Sequence, residues 1–96
     1  MKAIIDGKRY DTEKAQQIAS DRYWDGHNME RHGRNTYLYR TVNGRYFTIN
    51  TTCWQGERDT LDPVTVDEAI QLWQGSLPEH DVQFETAFPD TAVEDA

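Results

Sequence analysis

The chain has 96 residues, of which 36% are hydrophobic and 28% are charged, and its formal net charge is −7. This length accommodates one small domain without a second core, and the net charge argues against a module that binds nucleic acid or an anionic membrane through phosphate attraction. Cys53 is the only cysteine, which excludes an intrachain disulfide and the disulfide-stapled secreted class.

The N-terminal apolar run is only three residues long, too short for a signal peptide. No window of the sequence approaches the ~20 apolar residues of a membrane-spanning helix. We therefore expect a cytoplasmic protein.

The first predicted element is a tight hairpin with short arms. Ile4 and Ile5 lead into Asp6-Gly7, and Lys8-Arg9-Tyr10 follows. Asp-Gly is typical of a two-residue hairpin loop, because both central residues of that loop take positive φ.

A helix is predicted next, over residues 12–23. Asp11 occupies the N-cap position, and apolar residues recur at intervals of three and four from Ala15 to Tyr23, as on one face of a helix. The following residues 24–35 break this period and are expected to form a loop or a short edge strand.

A central β-hairpin is the strongest local signal. Residues 36–42 and 45–50 are rich in aromatic and β-branched side chains and flank Asn43-Gly44, the preferred dipeptide of a type I′ turn. A two-residue turn pairs Val42 with Arg45 and Leu38 with Ile49. The expected core face then contains the apolar residues Leu38, Val42, Phe47 and Ile49.

The opposite face of that hairpin would contain Tyr37, Tyr39 and Tyr46. Exposed tyrosines are enriched at protein interfaces, so this face is a candidate for partner binding. The alternative, which the sequence leaves open, is that one of the helices covers it.

A second helix begins after a polar connection over residues 57–63. Thr65 and Glu68 fit a capping box, Val66, Ala69, Ile70 and Trp73 form an apolar stripe, and Gly75 is expected to be the C′ residue. Alternating apolar residues over 81–88 then predict a strand at the sheet edge. Residues 1–89 are thus expected to form a single α+β domain, a small antiparallel sheet built around the Asn-Gly hairpin with two short helices, and residues 90–96 a flexible acidic tail.

The charges are divided along the chain. All ten Lys and Arg lie between Lys2 and Arg58 with seven acidic residues, whereas residues 59–96 contain ten acidic residues and no basic one. This segment suits a partner with a basic surface, although acidic residues also serve ordinary solubility. The predicted acidic partner-binding residues are Asp59, Asp62, Asp67, Glu68, Glu79, Asp81 and Glu85, with Asp90 following.

Catalytic and metal-binding spacings are not found. His27 and His32 are five residues apart and His80 is distant, which matches no recognised metal-binding spacing. We expect no enzyme activity, no cofactor and no metal, and no catalytic residue is predicted.

Three segments resemble a family of small proteins from bacteriophages and integrated mobile elements. Met1-Lys-x-Ile-Ile-x-Gly-Lys-x-Tyr-Asp-Thr-Glu-Lys-Ala15 is similar to the N-terminal signature of that family, Leu38-Tyr-Arg-Thr41 through Gly44-Arg-Tyr-Phe47 resembles its central hairpin, and residues 65–73 resemble its second helix. The resemblance covers residues 1–75, while the loop over 24–35 and the chain after Pro78 depart from it. Its motifs are structural, and no functional residue carries over by motif.

Some phage proteins of this size and character are anti-CRISPR inhibitors, which bind CRISPR effector complexes and block target DNA. The resemblance therefore implies a non-enzymatic inhibitor of a CRISPR-Cas effector in the host bacterial cell. The acidic segment adds the expectation that this inhibitor binds through its acidic surface and occupies the basic DNA-binding groove as a DNA mimic. The alternative is a small mobile-element accessory protein that acts as a homodimer.

Overall fold

The architecture is a five-stranded antiparallel sheet covered on one face by two short helices and on the other by a two-stranded ribbon. The computed structural model describes residues 1–21, 34–52 and 54–95. Its elements, in chain order, are β1 (Lys2–Ile5), β2 (Lys8–Asp11), β3 (Gln16–Ser20), β4 (Arg34–Arg40), β5 (Tyr46–Thr52), β6 (Thr60–Val64), α1 (Val66–Gln74), β7 (Glu79–His80) and α2 (Phe84–Ala87). The five strands lie in the order β6-β5-β4-β3-β7, and β1 and β2 form the ribbon. The predicted small α+β fold is confirmed.

The N-terminal hairpin is confirmed, with Asp6 at φ +53° and Gly7 at φ +74° in its turn. Two consecutive residues at positive φ are characteristic of a type I′ turn. This turn pairs Ile5 with Lys8 and Ala3 with Tyr10, so that Tyr10 is buried against the sheet and Ile4 faces away from it.

The helix predicted over residues 12–23 is wrong, because β3 occupies residues 16–20. The Asp11 carboxylate accepts a hydrogen bond from the Glu13 N–H at 3.0 Å, which closes a turn instead of capping a helix. The register of β3 on β4 shifts between Gln17 and Ala19, and this bulge buries both Ile18 and Ala19. A bulge disrupts the period of two, so the apolar spacing resembled a helical stripe. Residues 22 and 23 lie outside the described residues.

The central hairpin forms where it was predicted, but its register differs by one residue. Leu38 pairs with Thr48 and Tyr39 with Phe47, and the loop consists of the three residues Val42, Asn43 and Gly44. The Thr41 N–H donates to the Arg45 carbonyl at 2.8 Å, and the Gly44 N–H donates to the Thr41 carbonyl at 3.0 Å. Of these loop residues only Gly44 has positive φ, +81°, as in a type I turn followed by a glycine bulge.

This register overturns the predicted core face. Leu38 lies on the face covered by the helices, whereas Phe47 and Ile49 lie on the face covered by the ribbon. Val42 belongs to neither core, since it is in the turn and 81% exposed. A shift of one residue exchanges faces because successive side chains of a strand point to opposite sides.

The capping box of the longer helix, α1, is confirmed. The Glu68 N–H donates to the Thr65 hydroxyl at 3.1 Å, and the Thr65 N–H donates to the Glu68 carboxylate at 3.0 Å. Ala69 and Trp73 are buried, while Val66 is largely exposed. Gly75 is the C-cap residue with φ −112°, and not a left-handed C′ residue.

Two further predictions for the C-terminal third are wrong. The connection over residues 57–63 includes most of β6, an edge strand that accommodates Pro63. Residues 81–88 do not form the predicted strand: the edge strand β7 ends before them at His80, and they contain the single helical turn α2. The Phe84 and Phe88 rings are 4.9 Å apart between centroids. Because positions four apart share a face in a helix and also in a strand, their spacing does not distinguish the two.

Hydrophobic cores lie on both faces of the sheet. On the helix side, Leu38, Ile18 and Tyr46 pack with Trp73 and Phe88. On the ribbon side, the buried members are Tyr10, Phe47 and Ile49, with Tyr37 and Tyr39 partly buried against them. Residues 89–95 contain no helix or strand, and their predicted flexibility stays a prediction. None of the helices in the described part of the chain is long and apolar enough to cross a membrane.

Candidate functional site

The helix side of the sheet contains most of an acidic layer, which we define as the acidic side chains of residues 65–95. Glu79 and Asp81 are the exceptions: they flank His80, which stacks on Trp73 on the helix side, and they therefore project from the ribbon side at the β7 edge. Residues 65–95 contain no Lys or Arg, and every one of their carboxylates is on an exposed residue. The arrangement follows from α1, which buries Ala69 and Trp73 and directs its charged residues to solvent. The acidic layer consists of Asp67, Glu68, Glu79, Asp81, Glu85, Asp90, Glu94 and Asp95.

The predicted acidic residues do not form one compact cluster. Asp62 is in β6 and Glu79 is in β7, and these strands are the opposite edges of the sheet. Four inter-strand spacings separate the two edges, or about 19 Å at 4.8 Å per spacing. Because α1 connects β6 to β7 and packs on the helix side, the acidic residues of α1 lie between the two edges.

Three of the predicted acidic residues are used within the fold. Asp62 accepts hydrogen bonds from the Asn50 amide at 3.0 Å and the Thr60 hydroxyl at 2.8 Å. Asp59 accepts from the Thr52 N–H at 3.0 Å. The backbone and side-chain hydrogen bonds that join Glu68 to Thr65 lower the pKa of the Glu68 carboxyl. These carboxylates hold a strand edge, a loop and a helix start in place.

Three other predicted acidic residues have no such role. Asp67, Glu79 and Glu85 are exposed, and none of them has a side-chain hydrogen bond or ion pair with another of the described residues. Their charges are therefore the best placed for an incoming partner.

The predicted acidic and aromatic sites meet at one point, on the ribbon side beside β7. The Gln17 side-chain Nε2 donates a hydrogen bond to the Asp81 carboxylate at 2.9 Å. The Oε1 of the same side chain lies 3.4 Å from the Tyr39 hydroxyl. Burial, followed by the proximity of Tyr37 and Asp81, raises the pKa of the Tyr39 phenol. The sequence gives no signal for Gln17, because the apolar spacing of residues 12–23 is typical of a helix and hides the strand that contains it.

The continuous tyrosine face is a wrong prediction. Tyr37 and Tyr39 are half-buried on the ribbon side, whereas Tyr46 is on the helix side and only 6% exposed. The Tyr46 hydroxyl donates to the Ala87 carbonyl at 2.6 Å, and its ring stacks on Phe88 at a centroid distance of 5.1 Å. Tyr46 is thus a core residue, and the face of Tyr37 and Tyr39 is covered by the ribbon and not by a helix.

A polar cluster near the end of β5 was not indicated by the sequence. Arg34 forms an ion pair with Glu57, and the Thr52 hydroxyl donates to the same carboxylate. These two hydrogen bonds lower the pKa of the Glu57 carboxyl. The partners are 23 and five residues from Glu57 in sequence, and only the strand pairing brings them together.

The histidines give no metal geometry. The His80 ring stacks on Trp73 at a centroid distance of 3.8 Å, and its Nε2 lies 2.9 Å from the Trp73 carbonyl. His27, His32 and Cys53 lie outside the described residues. Within residues 1–21, 34–52 and 54–95, no group of three or more His, Cys, Asp or Glu side chains is arranged to hold a metal ion.

Comparison of the chain with protein-family models, curated proteins and solved structures gives no match. Function must therefore be inferred from the residues of the chain itself.

Proposed function

We propose that this chain is a non-enzymatic binding protein that docks its acidic layer on a basic surface of a partner protein. The observation that supports this proposal best is the composition of the acidic layer, which is exposed and contains no Lys or Arg. A surface of one sign attracts an oppositely charged partner over a distance and accelerates their encounter.

The partner that the sequence resemblance suggests first is a CRISPR-Cas effector. Its DNA-binding groove must be basic to hold a polyanion, and an acidic layer presents the same sign of charge as DNA. In this proposal the protein occupies that groove and blocks target DNA. Asp67, Glu79 and Glu85 supply the attraction, because their carboxylates are not engaged elsewhere among the described residues.

The edge beside β7 gives the proposed contact a second component. Asp81 belongs to the acidic layer and also lies next to the partly exposed Tyr39. A phenol next to a carboxylate combines apolar contact area with hydrogen bonding, as is common at interfaces.

The experiment compares two double variants that remove the same amount of charge from opposite sides. Asp67→Asn/Glu85→Gln acts on the helix side of the acidic layer, and Asp6→Asn/Glu13→Gln acts on exposed acidic residues of the ribbon and its following turn. Binding to a purified effector is measured by surface plasmon resonance at low and physiological ionic strength. We expect the acidic-layer variant to lose about five-fold or more in association rate at low salt, and the control to change little.

Two results would contradict the proposal. One is binding that is insensitive to salt, and the other is equal loss in both variants, since either removes the acidic layer as the source of attraction. Light scattering tests the alternative of a homodimeric accessory protein, which predicts twice the chain mass of 11.2 kDa. A monomer without effector binding would contradict both.

A further inference from the structure

A groove of about 450 Å³ lies between the β1–β2 ribbon and the turn that joins β4 to β5. The ribbon contributes Lys8 and Arg9, the turn after it contributes Lys14, and the end of the hairpin contributes Arg45. We call this the cationic groove. Lys8 shares the sheet-facing side of the ribbon with Tyr10, whose buried ring forms part of the wall.

The four cations of this groove are not neutralised by neighbours. All four are exposed, and the ion pair found among the described residues joins Arg34 to Glu57, which are elsewhere. The carboxylate of Asp11 also lines the groove, but one of its oxygens accepts the Glu13 N–H. Arg9 pairs with Ile4, so its side chain leaves the ribbon on the outer side. The cations that remain for the groove are Lys8, Lys14 and Arg45.

We propose that the cationic groove binds a small ligand that contains two or more phosphate groups. Guanidinium groups match phosphate oxygens in a bidentate manner, and lysine ammonium groups add point charges. The volume falls within the range of small-molecule pockets. This site is separate from the acidic layer and does not depend on the proposed function.

The net charge of the chain does not oppose this site. Apart from Glu79 and Asp81 at the β7 edge, the acidic layer is on the helix side, whereas the groove is at the ribbon, and a ribbon packed on a sheet is about 10 Å from it. That distance already exceeds the screening length of about 8 Å at physiological ionic strength. A long polyanion such as nucleic acid would extend beyond the groove toward the acidic residues, so a compact phosphate ligand fits better.

The experiment is a calorimetric titration of the full chain with pyrophosphate and with ATP. Adenosine, which has no phosphate, and citrate, which is a carboxylate anion, are the ligand controls. The test variant is Lys8→Gln/Arg45→Gln, and the matched control is Lys2→Gln, which removes an exposed cation of β1 outside the groove. Lys14→Gln replaces the double variant if circular dichroism shows that the latter is unfolded.

We expect saturable binding of pyrophosphate and ATP, no binding of adenosine, and weakening by about ten-fold in the double variant, or about three-fold in Lys14→Gln. Lys2→Gln should bind like the parent chain. Absence of saturable binding at low salt, equal affinity for citrate, or unchanged affinity in the groove variant would overturn the proposal. Tighter binding of a single-stranded oligonucleotide than of ATP would overturn it in favour of a nucleic-acid surface.

Discussion

Replacing Tyr46 with Phe tests both the register of the central hairpin and the packing of α2. The substitution keeps the ring that stacks on Phe88 and removes only the hydroxyl, which donates to the Ala87 carbonyl at 2.6 Å inside the core. The Ala87 carbonyl then loses its buried donor. A typical hydrogen bond contributes about 1 kcal/mol net, and an unsatisfied buried acceptor costs about 1–3 kcal/mol. We expect Tyr46→Phe to lower the free energy of unfolding by about 2 kcal/mol.

Tyr39→Phe is the matched control for this substitution. Its ring stacks on Phe47 at 5.2 Å, but Tyr39 is only partly buried. Its hydroxyl lies 3.4 Å from the Gln17 amide oxygen, close to the limit of a hydrogen bond. Loss of that contact should cost less than about 0.5 kcal/mol. In the register predicted by a two-residue turn, both tyrosines would share a face, and the two substitutions would have similar effects.

Urea denaturation followed by tryptophan fluorescence measures both variants, since Trp73 is buried in the same core as Tyr46. For a domain of this size, 2 kcal/mol corresponds to a fall in melting temperature of about 10 °C. A Tyr46→Phe variant as stable as the parent chain, or a Tyr39→Phe variant that is equally destabilised, would refute the assigned register.

Three further predictions concern single positions. Gly44→Ala should lower the free energy of unfolding, measured by urea denaturation, by about 1 kcal/mol, because Gly44 has φ +81°. Asn43→Ala should lower it by less than about 0.5 kcal/mol. Equal losses would indicate a type I′ turn, in which both residues have positive φ. Thr65→Ala should lower the free energy of unfolding by about 1 kcal/mol through loss of the N-cap, with Thr65→Ser retaining most of it, and a thermal melt with no difference between the two would contradict the capping role. In alkaline ultraviolet titration, the pKa of Tyr39 should lie above the ordinary tyrosine value and decrease in Asp81→Asn. Because folding raises this pKa, the contribution of Tyr39 to stability is present below the ordinary tyrosine pKa and is lost as the pH rises through the folded-state pKa. An unchanged Tyr39 titration in Asp81→Asn would exclude the Asp81 carboxylate as a cause of the raised pKa.

The two hairpins show which part of a strand pairing can be read from sequence. Asp6-Gly7 adopts the type I′ turn that its residues favour, whereas Asn43-Gly44 does not. Hydrophobic pattern fixes register where only one face of a sheet is buried. Here the helices cover one face and the ribbon covers the other, so the apolar side chains of β5 would be buried in a core in either register. The pattern alone therefore could not select the register.

Local signals were sufficient only where the interactions are themselves local. The capping box of α1 joins residues three apart, and it was predicted residue by residue. By contrast, the identity of β3 depends on its pairing with β4 and β7, and α2 depends on packing of Phe88 against Trp73 and Tyr46. The acidic residues were recognisable individually, but their division between two sheet edges follows from the strand order. The cationic groove has no sequence signal, because its charges come from segments that are far apart in sequence.

The division of charge along the chain becomes, for most of these residues, a division between the two faces of the sheet. The N-terminal residues build the ribbon and its groove, and residues 65–95, apart from Glu79 and Asp81, build the layer on the opposite face. At physiological ionic strength the screening length is about 8 Å, shorter than the separation of the layers, whereas at 0.01 M it is about 30 Å. Asp67→Asn/Glu85→Gln should therefore leave pyrophosphate affinity unchanged at physiological salt and strengthen it at low salt, because repulsion from the acidic layer reaches the groove only at low salt. An equal effect at both salt concentrations would mean that the two charged regions are not on separate faces.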